Sequence, residues 1–163
     1  MLRKGKAARL PLPYRLSGGM RVNWEPYLHK AQYYETDGMG IIHHSNYIRW
    51  FEEARVDFLA QIGMPFEEVE ARGIVSPVLH VSCDYKTMAR FGETVRIFVT
   101  VTGYTGAKLF LTYRVEDAET GALRCAGESS HCFLSGGRPV SLRRAAPDYD
   151  AILRGLPLVG KED

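Results

Sequence analysis

The hydrophobic period changes once along this chain, and that change restricts its fold more than any other feature. Tyr47, Trp50, Phe51, Ala54, Phe58, Leu59 and Ile62 recur at spacings of three and four. That is the period of a helix with one buried stripe. Arg49, Glu52, Glu53 and Asp57 fall between them. Ser45 and Asn46 stand ahead of the stripe as N-cap residues, and Gly63 follows as a C-terminal stop. Burying Trp50, Phe51, Phe58 and Leu59 stabilises by about 1.5–3 kcal/mol each. After Pro77 the period becomes two. Leu79, Val81, Cys83 and Tyr85 alternate with Val78, His80, Ser82 and Asp84, as in a strand with one buried face.

The same alternation continues over 93–104, 107–117 and 122–134. Turn signals at Gly103, Gly106 and Glu119-Thr120-Gly121 separate these segments. Four successive strands with short links predict an antiparallel meander. A further strand is expected over 27–36, broken by Asp37-Gly38-Met39-Gly40. A short second helix is expected over 65–72, opened by Pro65 and closed by Gly73. A sheet needs apolar cover on its inner face, and only one long apolar helix is available. The simplest solution is an α+β domain in which a curved antiparallel sheet wraps around that helix. Residues 27–145 form this domain. Residues 1–26 read as a flexible arm, and 146–163 as a tail with a helical turn near 149–153.

At 163 residues the chain suits a single domain. With 45% apolar and 25% charged residues it has an ordinary globular composition, and no apolar run approaches the roughly 20 residues of a membrane span. Six of the 21 basic residues (Arg3, Lys4, Lys6, Arg9, Arg15 and Arg21) and none of the 19 acidic ones fall in 1–21. The remainder is net acidic, which argues against nucleic acid as the main partner. The arm lacks the apolar segment of a secretory signal. Cys83, Cys125 and Cys132 form no disulfide framework and no CxxC, so free thiols in a reducing cytoplasm are expected. The five histidines show no metal-ligand spacing with them, and no metal is expected.

Residues 33–47 read Tyr-Tyr-Glu-Thr-Asp-Gly-Met-Gly-Ile-Ile-His-His-Ser-Asn-Tyr. This segment resembles the active-site segment of the 4-hydroxybenzoyl-CoA thioesterase-like family, whose members have the hotdog fold. Asp37, Gly40, Ile41, Ile42, Asn46 and Tyr47 match its pattern of an Asp, a Gly, two apolar residues and a helix opening in Asn-Tyr. Two weaker blocks run from Tyr85 to Gly92-Glu93 and from His131 to Gly137-Arg138-Pro139. Met88 stands where many relatives have Pro. The resemblance spans about residues 27–145. It implies an acyl-CoA thioesterase without a cofactor, CoA being part of the substrate. It also implies a homodimer or homotetramer, with sheets laid edge to edge and the site formed between subunits.

Thioester hydrolysis needs a group that attacks or activates water and another that stabilises the oxyanion. The resemblance assigns the first to Asp37, as nucleophile or general base. Taken alone, Asp37-Gly38 is an ordinary turn pair. The second role falls to the N–H groups at the helix start, delivered by His44-Ser45-Asn46-Tyr47, which lack intrahelical partners at the positive end of the dipole. Asn46 and Tyr47 are accordingly substrate-binding candidates. His44 is a candidate to donate to the thioester oxygen, protonate the thiol or orient water; its neighbour His43 points elsewhere if the segment is extended. Tyr33 and Tyr34 compete for the family's tyrosine. Strand alternation would put Tyr33 on the face of Asp37 and selects it. The CoA phosphates call for cations; the resemblance points to Lys108 and Arg138 as candidates, and Arg90 is a third.

Two rival functions use the same scaffold. A hydratase of this fold carries His five residues after its Asp, where this chain has Ile42, and the dehydratase turn His-Phe-Pro-Gly is missing. A non-catalytic acyl-CoA sensor would have no need of Asp37, and the short arm shows no DNA-binding helix-turn-helix.

Overall fold

Helix α1 (Ser45–Gln61) buries Tyr47, Trp50, Phe51, Ala54, Phe58 and Leu59, the side chains of the apolar stripe except Ile62, which is the half-buried C-cap. In this computed structural model, which describes residues 14–15 and 21–159, most of the basic arm lies outside the described residues. The stripe packs on one face of a sheet. Phe51 stacks on Tyr113 with ring centroids 4.4 Å apart. Phe58 meets Trp24 edge-on at 5.0 Å, and Trp24 Nε1 donates to the Val99 carbonyl at 2.9 Å. Gly63 ends the helix at φ +93°, a conformation that glycine adopts without strain. Ser45 and Asn46 sit inside the first turn and do not cap it. His44 holds the N-cap position, because Asn46 is drawn inward by a partner described below. Helix α2 (Phe66–Ala71) follows.

The first described elements form a two-residue ribbon, β1 (Tyr14–Arg15) paired with β2 (Arg21–Val22). The main sheet holds β3 (Tyr27–Lys30), β5 (Val78–Tyr85), β6 (Thr94–Tyr104), β7 (Lys108–Asp117) and β8 (Leu123–Cys132). Every neighbouring pair is antiparallel, in the order β3-β6-β7-β8-β5. The expected four-strand meander is therefore corrected. Only β6, β7 and β8 meander, while β5 pairs with β8 at the far edge. The link of residues 86–93 is long enough to carry the chain past the ends of β8 and β7, and local periodicity holds no signal for pairing order. A smaller sheet joins β4 (Ile74–Val75), β9 (Leu134–Ser135) and β10 (Arg138–Pro139).

Buried residues alternate along β6 (Val95, Ile97, Val99, Val101) and β7 (Leu109, Leu111, Tyr113, Val115). On β8 the inward positions are Cys125, Gly127, Ser129 and His131. A Cβ at Gly127 would lie 2.5 Å from both the Phe51 ring and the Ser82 carbonyl, so the missing side chain is what lets α1 approach the sheet. Inside this face His131 Nε2 contacts Ser129 Oγ at 2.7 Å, and that hydroxyl contacts the Tyr113 hydroxyl at 2.7 Å. Burial, with Arg55 nearby, pushes the His131 pKa down to about 3 and keeps the ring neutral.

Helices α3 (Leu142–Ala145) and α4 (Pro147–Arg154) close the end of the domain away from the start of α1. Leu142 N–H donates to the Gly106 carbonyl and Val159 N–H to that of Val101. The Tyr104 hydroxyl donates to Asp150 Oδ1 at 2.7 Å, so residues beyond 145 are packed onto the sheet.

Candidate functional site

The strand expected over 27–36 stops at Lys30, and a 3₁₀ turn takes Tyr33–Glu35. Three residues per turn put these side chains on different sides, so the alternation that selected Tyr33 does not exist here. Tyr33 and Tyr34 are 75% and 81% exposed, whereas Glu35 is 4% exposed. The Tyr33 ring touches Phe91 edge-on at 5.7 Å, with no bond to Asp37.

Asp37 opens a tight loop. Its N–H donates to the Ile41 carbonyl at 2.9 Å, and its carbonyl accepts from Gly40 N–H at 3.0 Å. Gly40 has φ +72°, which explains glycine at that point of the motif. Thr36 and Ile42 bridge across the loop. Asp37 Oδ1 accepts the Met39 N–H at 2.8 Å. No described residue donates a hydrogen bond to the other oxygen, so the carboxylate is oriented at one end and available at the other.

The loop is tied to the start of α1. The Glu35 carbonyl accepts both the His43 N–H and the Asn46 side-chain N–H, each at 2.8 Å. Asn46 is buried; it holds the helix to the loop. Tyr47 is also buried, and its ring packs on Trp50 at 4.7 Å and Tyr85 at 5.3 Å. His44 is exposed, its ring 4.0 Å from that of His43, and its carbonyl accepts the Tyr85 hydroxyl at 2.8 Å. Burial and the neighbouring Cys83 thiol raise the Tyr85 pKa, so the phenol stays protonated and can donate. His43 Nδ1 lies 2.8 Å from Ser45 Oγ and accepts the Ser45 N–H at 3.2 Å. The side chain of His43 thus caps the turn whose N–H groups are the oxyanion candidates.

The crossover of residues 86–93 forms the floor. Ile42 N–H donates to the Ala89 carbonyl at 2.9 Å, and Gly92 N–H to that of Ala31 at 3.0 Å. Arg124 donates to the Met88 carbonyl at 2.7 Å and pairs with Glu93 and Asp117 at 3.1 Å. Arg90 is exposed on this loop; its carbonyl accepts the Glu93 N–H at 3.2 Å, and its guanidinium has no hydrogen-bond or ion-pair partner among the described residues. The other two cations lie elsewhere. Lys108 pairs with Cys132, seven residues along the ladder from Val115 and Cys125, or about 23 Å. Arg138 on β10 is at that same far end. Within one chain, then, Asp37, His44, Asn46, Tyr47 and Arg90 gather at one end of the sheet, and Lys108 and Arg138 do not.

Glu35, His29 and Trp50 were not singled out from the sequence as site residues. Glu35 Oε1 accepts the Trp50 indole N–H at 2.8 Å, and Oε2 accepts the Gln32 N–H at 2.7 Å. His29 Nε2 lies 2.9 Å from the same Oε2, and its Nδ1 lies 2.9 Å from Glu53 Oε2. Burial alone would raise the Glu35 pKa. The Gln32 N–H, the His29 ring and the Trp50 N–H outweigh it and hold the carboxyl below its ordinary value. The one local signal was Gln32 standing three residues before Glu35, the spacing of a capping box.

The family description "Thioesterase-like superfamily" matches residues 32–153. YneP of Bacillus subtilis, named provisionally as an acyl-CoA thioesterase, is 31% identical over 122 residues, covering 74% of this chain and 88% of that one. The acyl-CoA thioester hydrolase YbgC of Escherichia coli is 26% identical over 90 residues, covering 55% and 67%. A solved DHNA-CoA thioesterase from Staphylococcus aureus superposes with a TM-score of 0.76 at 31% identity, covering 78% and 87%. With its Asp37 loop, its Asn46-Tyr47 helix opening and these relatives, the chain belongs to the thioesterase-like superfamily, among the hotdog-fold acyl-CoA thioesterases.

Proposed function

We propose that the protein hydrolyses an acyl-CoA thioester to the free acid and CoA at the end of the sheet where α1 begins. The reading takes the five-stranded sheet as curled around α1 in the hotdog manner. The observation that carries it is the Asp37 carboxylate, fixed through one oxygen by Met39 N–H and tied through Glu35 to the first turn of α1. Asp37 attacks the carbonyl or takes a proton from the attacking water. The carbonyl oxygen, as it gains charge, displaces the His43 ring from the Ser45 N–H of the first turn, where the dipole favours an anion. His44, exposed beside them, donates to the oxygen or to the departing thiolate. Product analysis separates this from a hydratase. Free acid and CoA are expected from saturated and α,β-unsaturated acyl-CoA alike, and a hydroxyacyl-CoA product would overturn the reading.

The site is completed by a second copy. Strand β5 is the longer of the two edge strands of the main sheet, β3 being the other, with Val78, Leu79 and Tyr85 about half exposed. An unpaired edge of this kind favours pairing with another strand. Antiparallel pairing of two β5 strands reverses one subunit against the other. The partner's Lys108 and the partner's Arg138 then approach the end that holds Asp37, where with Arg90 they can meet the CoA phosphates. Light scattering at micromolar concentration is expected to give at least twice the 18.4 kDa chain mass. Mixed dimers of Asp37→Asn with Lys108→Ala/Arg138→Ala are expected to regain activity that neither parent shows. A fully active monomer would contradict both.

The mechanism asks for water and the thioester alone. Among the described residues, no group of three His, Cys, Asp or Glu side chains is arranged to hold a metal ion. Cys83 and Cys125 face each other with sulfurs 2.9 Å apart on β5 and β8, and Cys132 is on the opposite face of β8. Turnover is expected to survive EDTA and the triple replacement of these cysteines by Ser. Loss on chelation with recovery on adding zinc would contradict the mechanism. No described helix is long and apolar enough to cross a membrane. The free thiols suit the cytoplasm, where we place the protein.

A further inference from the structure

Glu35 is a buried carboxylate that the hydrolysis does not consume, and its partners come from three different elements. Its side chain takes the Trp50 indole N–H from α1, contacts the His29 ring of β3, and accepts the Gln32 N–H of its own turn. Its backbone carbonyl takes two more donors, His43 N–H and Asn46 Nδ2. Asp37 follows two residues later, and the helix turn with the oxyanion N–H groups begins at His44 and Ser45. Glu35 therefore joins the two halves of the site at their common root.

An apolar residue at 35 would fill the space but leave the buried Trp50 indole N–H and the Gln32 N–H without their acceptors. Beyond satisfying these donors, the carboxylate supplies direction. Two oxygens receiving Trp50 on one side and Gln32 with His29 on the other fix the rotation of the 3₁₀ turn. The turn in turn fixes the path of residues 36–42, closed by the Thr36–Ile42 bridge. The His29 ring is held on its far side by Glu53 and lies 4.7 Å from the Trp50 ring, so the support is itself supported.

We infer that Glu35, braced by Trp50 and His29, is a positioning residue that sets the Asp37 carboxylate against the first turn of α1. The inference rests on the reading of Asp37 as the reacting carboxylate. A displacement of about 1 Å at a reacting group can cost on the order of 100-fold in rate, so the brace is expected to act on turnover before it acts on binding.

The test is steady-state kinetics of free-thiol release from an acyl-CoA, on the full-length chain, with near-ultraviolet circular dichroism to count folded protein. Glu35→Gln keeps the shape and removes the charge. It is expected to lower kcat roughly 10- to 100-fold, with KM changed by less than about 3-fold, as for loss of a contribution made in the transition state. Trp50→Phe keeps an aromatic ring and removes the donor, so it is expected to move kcat the same way. The double variant is expected to be no worse than the worse single one, because both break one brace. Asp37→Asn is run alongside. If Asp37→Asn collapses while folded Glu35→Gln keeps wild-type kcat, the positioning role is overturned and the Asp37 reading stands. If Asp37→Asn retains turnover, both fall. Should Glu35→Gln not fold, Trp50→Phe decides, with an unchanged kcat per folded molecule overturning the inference.

Discussion

Replacing Asp37 by Asn is expected to lower kcat by about 100-fold or more, which is about 2.7 kcal/mol of barrier. The substitution isolates chemistry from shape. An Asn side-chain oxygen can still accept the Met39 N–H that holds Oδ1, and the Asp37–Ile41 and Asp37–Gly40 backbone bonds do not involve the side chain. The loop should therefore survive, and the melting temperature with it. KM should stay near that of the parent, because the group lost is one that acts in the transition state. Near-normal turnover by folded Asp37→Asn would remove the carboxylate from the mechanism.

The second large effect is on stability. Trp50→Ala is expected to destabilise the fold by about 3–5 kcal/mol. For a chain of this size that lowers the melting temperature by roughly 6–20 °C. Trp50 is fully buried among the largest core side chains, so its removal leaves a cavity that the helix and sheet cannot close. The same change strips Glu35 of its indole donor and leaves a buried carboxylate less well satisfied, which adds to the loss. Thermal melts of the two proteins at one pH measure it. A melt within about 2 °C of wild type, less than one kcal/mol on the same scale, would mean that α1 is not anchored at Trp50.

What could be read from the sequence, and what could not, divides by the range of the interactions involved. The stripe from Tyr47 to Leu59 is local. Its period states which face is buried, and the 17 residues of α1 follow it. The alternation along β6 and β7 is equally local. The 3₁₀ turn at Tyr33–Glu35 is not. Its aromatics favour a strand, but Glu35 is held inside by His29 and Trp50, residues 6 and 15 positions away, and these contacts override the local preference. A Glu among tyrosines reads as a solvent-facing residue until its partners are seen. The placement of β5 beside β8 depends on pairing order, which no periodicity encodes. That placement makes the crossover carrying Arg90 the floor of the site. In an extended segment His43 would point away from His44, whereas here the two rings lie 4.0 Å apart and the His43 ring sits on Ser45.

Free-thiol release from a panel of short aliphatic, long aliphatic and aromatic acyl-CoA thioesters tests the central claim most directly. The purified wild-type protein is expected to liberate one CoA thiol and one free acid per thioester consumed. At least one acyl class is expected to be turned over far above the rate of the Asp37→Asn protein. Binding of acyl-CoA without release of thiol across the whole panel would contradict the claim, and would make the protein a ligand-binding member of its family.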